Sequence, residues 1–264
     1  MRFSLSNQPE SKHSPRVRAF TLIEMLLVVS IIALLIALLL PTLRRAKREA
    51  HAAACLSNLH QLHGAQVAYS GDHLGRTKWL SHGGNNYWHH SLSPYLGDPT
   101  YKNNPNLGQW KSTMTVLTCP LAVRDPVGGF GSADIVWNWG GGGQGSYGAN
   151  LWLFPHYVEY DNDFRFPDTS FYSRLGNAGA TTPLYGDSNW IGSWPLAVDT
   201  VPPSLYWGYA VHEIGFFMGR FSIDRHDRTI QLVFADGSAR RVGLANLWKL
   251  EWHRGYQPAT VVVP

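Results

Sequence analysis

Several groups of residues in this chain have types and spacings that could do chemistry. Glu24 stands alone as a charge inside a long apolar run. Cys55 and Cys119 are the only two cysteines. His226 is followed by nine residues and then Asp236-Gly237, and His60 and His63 stand three apart, with His51 and Cys55 upstream. A carboxylate in an apolar helix costs a few kcal/mol when centrally placed, so such residues usually serve a function. Glu24 is also placed to be a snorkelling interfacial acid. Paired cysteines in an oxidising compartment form a disulfide, and elsewhere they remain two separate thiols.

The remaining chemistry is weaker. His226 and Asp236 match no standard ligand motif, and a metal or catalytic role for them competes with a simple hairpin turn at Asp236-Gly237. His60 and His63 have zinc-like spacing but lack a complete tetrahedral set, so they read as exposed helix histidines. His89-His90 falls in a Trp/Tyr-rich stretch and is equally ambiguous. Gly140–Gly143 with Gly145 is not followed by Gly-Lys-Ser/Thr, so it reads as a surface loop and not as a phosphate cradle. Asp161 and Asp163 read as loop residues, and Asp187 and Asp199 flank Trp-rich strands. There is no Gly-x-Ser-x-Gly and no His-Glu-x-x-His. The chain reads as a non-enzyme without a cofactor.

The elements that must position these residues start with Phe20–Leu40, FTLIEMLLVVSIIALLIALLL, 21 residues with one charge. A helix of that length spans roughly 30 Å, the thickness of a bilayer's hydrocarbon core. A cleavable secretory signal has a shorter apolar core and a small-x-small exit. Here the run is followed by Pro41-Thr-Leu-Arg-Arg-Ala-Lys-Arg, so the segment should stay attached. Pro41 removes one helix hydrogen bond and should bend or loosen the helix locally.

Charge supports this division. Residues 1–49 hold eight Lys/Arg and three Glu, whereas 50–264 hold 14 basic and 15 acidic residues. The net +4 therefore belongs to the flanks of the apolar segment, which suit phosphate head groups. The nearly neutral remainder lacks the footprint of a nucleic-acid binder. Basic residues on both flanks leave the orientation undecided by charge.

Beyond Thr42, Cys55, Leu59, Leu62, Gln66 and Tyr69 form a stripe at helical spacing, widened by Leu56 and Val67. That stripe should pack on a sheet. The stretch 71–225 is rich in Gly, Pro, Asn and Trp and should form short strands and long loops. Thr229–Ala235 and Ser238–Val242 read as a hairpin joined by Asp236-Gly237. Leu247–His253 reads as a short amphipathic turn. Bridging Cys55 to Cys119 would close a loop of about 65 residues, worth roughly 4 kcal/mol in chain entropy.

Arg18-Ala19-Phe20-Thr21-Leu22-Ile23-Glu24 resembles the processing signal of type IV prepilins and type II secretion pseudopilins. The resemblance implies that a prepilin peptidase cuts between Ala19 and Phe20 and methylates the new amine. Glu24 matches the glutamate at the fifth mature position and Pro41 the proline at the twenty-second. Ala19 departs from the family's preferred glycine before the cut. In this setting Glu24 of one subunit could pair with the new amine of a neighbour, since either charge alone would be costly. Cys55–Leu62, Ala68–Gly75 and the His226…Asp236-Gly237 spacing are similar to a bacterial pseudopilin-like group, the prepilin-type processing-associated proteins. Cys119-Pro120, Ser146–Asn150 and Gly186–Ser188 look like further motifs of that group, with no established role.

The resulting expectation is an α+β, pilin-like fold with one long N-terminal helix, membrane-spanning in its first half, packed on an antiparallel sheet with long loops. Its parts are a cytoplasmic leader at 1–19, a transmembrane helix at 20–40, an outer helical half at 41–70 and a globular domain at 71–264. The implied partners are prepilin peptidase, other pilin-like or pseudopilin subunits and an inner-membrane secretion or pilus assembly platform, with no nucleic acid. The implied place is the inner membrane, with the C-terminal domain periplasmic or extracellular. The competing expectation is a membrane-tethered protein that binds glycans or peptides through its tryptophans and does not polymerise.

Overall fold

The computed structural model describes residues 20–77, 87–97, 114–122, 129–138, 144–154, 166–209, 211 and 213–264. Its dominant element is helix α1, Leu22–Asp72, which runs through Pro41 without a break. Contacts divide the chain into two compact units, Met1–Lys47 and Arg48–Pro264.

In the first unit helix is the only regular element among the described residues, and residues 20–47 are all exposed. Leu, Ile and Val side chains cover the whole circumference instead of one face, so this segment has no polar side to turn toward water. It is long and apolar enough to cross a membrane.

In the second unit the remainder of α1 becomes amphipathic. Cys55, Leu59, Leu62, Gln66 and Tyr69 are buried as a stripe, joined by Ala52, Ala65 and Ser70. Leu56 is half-buried and Val67 is exposed. One residue turns a helix by about 100°, so Val67, directly after Gln66, falls outside the stripe.

The stripe faces a sheet whose strands are short. A two-stranded ribbon pairs β1, Trp137–Asn138, with β2, Gln144–Gly145. The main sheet contains β3 (Tyr147–Asn150), β4 (Pro183–Asp187), β5 (Gly192–Ser193), β6 (Thr229–Phe234) and β7 (Ala239–Gly243). Its spatial order is β5-β3-β4-β6-β7, antiparallel throughout except for the parallel β3–β5 pair. The sheet is therefore mixed, and the fold is α+β and pilin-like.

β6 shows how the sheet divides the core. Ile230, Leu232 and Phe234 enter one apolar cluster with Trp152, Phe221, Trp248 and Trp252, whereas Val233 joins the cluster around Cys55, Leu59 and Leu62. Alternation with period two sends successive β6 side chains to opposite faces, each of them covered. The outer half of α1 covers one face. A 3-10 stretch, Leu244–Lys249, helps cover the other through Trp248, with Trp252 just beyond it. Each such fully buried large side chain contributes roughly 1.5–3 kcal/mol.

Polar groups also hold α1 to the rest of its unit. The Tyr185 hydroxyl donates to Gln66 Oε1 at 2.6 Å, and Asn58 Nδ2 donates to Thr118 O at 3.2 Å. On the exposed side Arg241 Nη2 meets Glu49 Oε2 at 2.8 Å. His63 is half-buried, with Nε2 3.3 Å from Ala235 O, and so is not the exposed helix histidine its spacing implies. His89 and His90 lie in a short helix, α2 (Trp88–Leu92), and both are buried; the Tyr87 N–H donates to His90 Nδ1 at 2.9 Å.

Candidate functional site

The functional candidates fall into two places, the head of α1 and a buried polar cluster in the second unit. Ala19, Gly140–Gly143, Asp161 and Asp163 lie outside the described residues.

At the head of α1, Phe20 is exposed and Thr21 precedes the first helical turn. Glu24 Oε2 accepts from the Thr21 N–H at 2.9 Å and from the Thr21 hydroxyl at 2.8 Å. The Glu24 N–H in turn donates to Thr21 Oγ1 at 3.3 Å. This reciprocal arrangement is a capping box, which satisfies backbone donors that an apolar environment would leave costly. The Thr21-x-x-Glu24 spacing that specifies it is readable in the sequence, yet Glu24 read alone yields only its charge. The carboxylate thus has one oxygen committed to the helix end and the other uncommitted to it. Downstream, Pro41 cannot donate to Ala37 O.

The second place gathers the short motifs scattered between residues 119 and 226. Cys55 of α1 and Cys119 form a disulfide with a Cα–Cα distance of 5.2 Å. The Cys119 N–H donates to Ser146 Oγ at 2.6 Å, and the Ser188 N–H donates to Ser146 O at 2.9 Å. Asn150, closing β3, donates from Nδ2 to Pro183 O and Trp252 O, both at 2.8 Å. Cys119-Pro120, Ser146–Asn150 and Gly186–Ser188 are therefore neighbouring parts of one structure.

Arg225 binds them together. Its guanidinium donates to Ala133 O at 2.9 Å, Ser132 O at 2.8 Å, Ser146 O at 2.5 Å and Ser188 O at 3.4 Å. Nη1 also meets Asp187 Oδ1 at 3.0 Å, with both side chains buried. The flat, fixed fork of arginine suits this role, which a lysine's point charge could not fill. Nothing in composition or spacing singles out Arg225 beyond its adjacency to His226.

His226 faces Asp187 and not Asp236. Its Nε2 lies 3.3 Å from Asp187 Oδ2 and 3.4 Å from Cys119 Sγ. The Gln231 N–H also donates to Asp187 Oδ2, at 2.8 Å. Burial alone would raise the Asp187 carboxyl, but His226, Arg225 and the Gln231 N–H outweigh it and hold the group below the usual carboxylate range. The turn between His226 and β6 has Asp227 at φ +61° and Arg228 at φ +59°. Two consecutive positive φ values are the geometry of a tight two-residue turn, here made without its usual glycine.

Asp236 and Gly237 stand at the other end of β6. Asp236 Oδ1 accepts from the Ser238 N–H at 2.9 Å and the Ser238 hydroxyl at 2.7 Å. The Gly237 N–H donates to Phe234 O, the Phe234 N–H donates to Ser238 O, and Gly237 has φ +86°. This is a three-residue hairpin loop with glycine at the left-handed position, a turn role for Asp236-Gly237. The strand β6 separates it from His226, so the geometry provides no His226–Asp236 site.

The clustered Cys55, Cys119 and His226 offer metal-ligating atom types, but the disulfide ties up both sulfurs. The cluster as it stands is a structural hub. Residues 14–40 match the family model described as the prokaryotic N-terminal methylation motif. No curated protein and no solved structure matches the chain. The chain thus carries, at the head of its long apolar helix, the N-terminal signal of type IV prepilin-like proteins.

Proposed function

We propose that this chain is a pilin-like or pseudopilin subunit of a type II secretion or type IV pilus-like assembly, matured by prepilin peptidase. The observation that carries the reading is the methylation motif at residues 14–40, set on a helix whose apolar side chains the chain itself leaves uncovered. An apolar cylinder of this kind is satisfied by lipid or by neighbouring helices of the same kind. In this reading the leader is cytoplasmic and the globular unit lies beyond the inner membrane, where the Cys55–Cys119 disulfide is chemically at home. Its role is structural: the helix supplies packing, and Glu24 receives the amine of an adjacent subunit's Phe20.

The test is the mass of the protein recovered from membranes of cells that contain the cognate peptidase. A chain beginning at Phe20 with one added methyl is the expected result. A chain beginning at Met1 would overturn processing at Ala19-Phe20 and leave the protein a permanent tether.

One observation favours a second reading, the non-polymerising glycan- or peptide-binding protein. Most described tryptophans are buried, but Trp207 is 53% exposed and packs edge-on against Tyr206. Its carbonyl is pinned by Asn189 Nδ2 at 2.7 Å. An exposed indole on an anchored backbone suits a sugar face. Glycan binding that Trp207→Ala abolishes, in a protein found only as a monomer, would favour this reading over assembly.

A further inference from the structure

We propose that the Cys55–Cys119–His226–Asp187 cluster is a latent binding site for a thiophilic divalent cation such as Zn2+, masked by the disulfide and opened by its reduction. The inference rests on the second unit alone and is independent of the pilin reading.

Three of the four ligand atoms already lie close together. A tetrahedral zinc site with bonds of about 2.0–2.3 Å places neighbouring ligand atoms roughly 3.3–3.8 Å apart. His226 Nε2 lies 3.4 Å from Cys119 Sγ and 3.3 Å from Asp187 Oδ2, two edges of such a tetrahedron already in place. The Cys55, Cys119 and His226 ligand atoms all lie within 4.8 Å of one another. Reduction releases the bond between the sulfurs so that this edge can lengthen, and the Asp187 carboxylate, already against His226, must draw toward the sulfurs to complete the set. The set is then two sulfurs, one imidazole nitrogen and one carboxylate oxygen, all types zinc accepts.

Charge and support agree. Asp187 is already neutralised by Arg225, so two thiolates and one dication add no net charge to the buried site. Arg225 and the Gln231 N–H would remain on the Asp187 carboxylate, as outer partners usually do on metal-bound carboxylates. Cys55, Cys119 and Asp187 are fully buried and His226 is nearly so, which keeps the disulfide and the set around it out of water.

The chemistry balances with a phosphine as reductant. The disulfide, the phosphine and one water give two thiols and a phosphine oxide. The two thiols then bind one Zn2+ and release two protons.

The test uses the full chain in detergent, with Zn2+ and with Co2+ as a spectroscopic stand-in. Reduced protein should take up one ion per chain, release about two protons per ion, and show tetrahedral cobalt bands with sulfur-to-cobalt charge transfer. Unreduced protein should show none of these. His226→Gln keeps a donor for Asp187 but removes the imidazole, and should weaken binding in the reduced state at least tenfold. Its unreduced form, held by the disulfide, reports on folding separately. Reduced wild-type protein that takes up no ion, whether folded or not, would overturn the proposal. So would uptake that His226→Gln leaves unchanged, because the thiols alone would then account for it.

Discussion

Gly237 lies directly against His63, so that a Cβ at residue 237 would sit 2.8 Å from His63 Cε1. The hairpin tip thus packs on α1 at a point where no side chain fits, and Gly237 also holds φ +86°. Gly237→Ala should therefore cost about 1–3 kcal/mol through backbone strain plus displacement of the ring. His63→Ala in the same chain should recover the part due to the ring and leave the strain. Urea unfolding of the single and double variants measures both. A Gly237→Ala protein as stable as the parent would mean that neither constraint matters.

Arg225 should be the least replaceable residue in the second unit. Its loss strands the buried Asp187 carboxylate and removes the donor from four carbonyls. Breaking a buried pair from one side typically costs about 3–5 kcal/mol. Arg225→Ala should therefore reduce the folded fraction severely, and Arg225→Lys should rescue little, since an ammonium cannot reach the same set of acceptors. Limited proteolysis and near-ultraviolet circular dichroism would show the loss, and full rescue by lysine would contradict the fork geometry.

The turn at Asp227-Arg228 suggests the opposite outcome. Both residues hold positive φ, which suits glycine better than any side chain. Asp224 Oδ1 accepts the Arg228 N–H at 2.5 Å, and that backbone bond would survive substitution. Arg228→Gly should stabilise the protein by about 0.5–1 kcal/mol, offset by the loss of the exposed bond from Arg228 Nη2 to Val263 O. A lowered unfolding midpoint would show that the arginine side chain outweighs its backbone strain.

The stripe on α1 and the β6–β7 hairpin were legible because each repeats at the period of its own element. Cys55, Leu59, Leu62, Gln66 and Tyr69 recur every three or four residues, and the β6 side chains alternate between faces. The methylation signal was legible because it is local, seven consecutive residues around Phe20. The Arg225 hub was not, because its acceptors are backbone carbonyls of Ser132, Ala133, Ser146 and Ser188, and a carbonyl has no sequence signature. The partner of His226 was not legible for a related reason: Asp236, near in sequence, serves the hairpin turn six strand residues away, while Asp187 arrives from the adjacent β4. The buried side of His63 and the parallel β3–β5 pair likewise depend on tertiary approach.

Asp199 predicts a pH dependence. It is buried, with Oδ2 accepting from the Leu196 and Met218 N–H groups at 2.7 Å and Oδ1 without a hydrogen-bond partner among the described residues. Burial raises its pKa from 3.8 to about 6, only partly opposed by those bonds and by Arg220. Tyr256, whose hydroxyl is also buried, faces the same carboxylate. The folded state therefore holds a proton that the unfolded chain has already released. That contribution is fully present below the unfolded value and is lost as pH rises through about 6, on the order of 2–3 kcal/mol. Asp199→Asn should flatten this part of the profile between roughly pH 4 and 7. An unchanged slope in urea unfolding across that range would remove Asp199 as its source.

Glu24 separates a membrane anchor from an assembly subunit. Its capping bonds to Thr21 need only an acceptor, which a glutamine side chain would also provide, whereas pairing with a neighbour's amine needs a charge. Glu24→Gln should therefore keep the helix start and membrane insertion but impair assembly, and Glu24→Ala should lose the cap as well, about 0.5–2 kcal/mol at the helix end. Thr21→Ala should weaken the cap while leaving the carboxylate free to pair, so assembly should survive it better than Glu24→Gln. Cross-linking of subunits in membranes, scored beside carbonate-resistant insertion, distinguishes the three. Equal assembly by Glu24→Gln and the parent would assign Glu24 to the helix cap alone and remove its charge from the assembly mechanism.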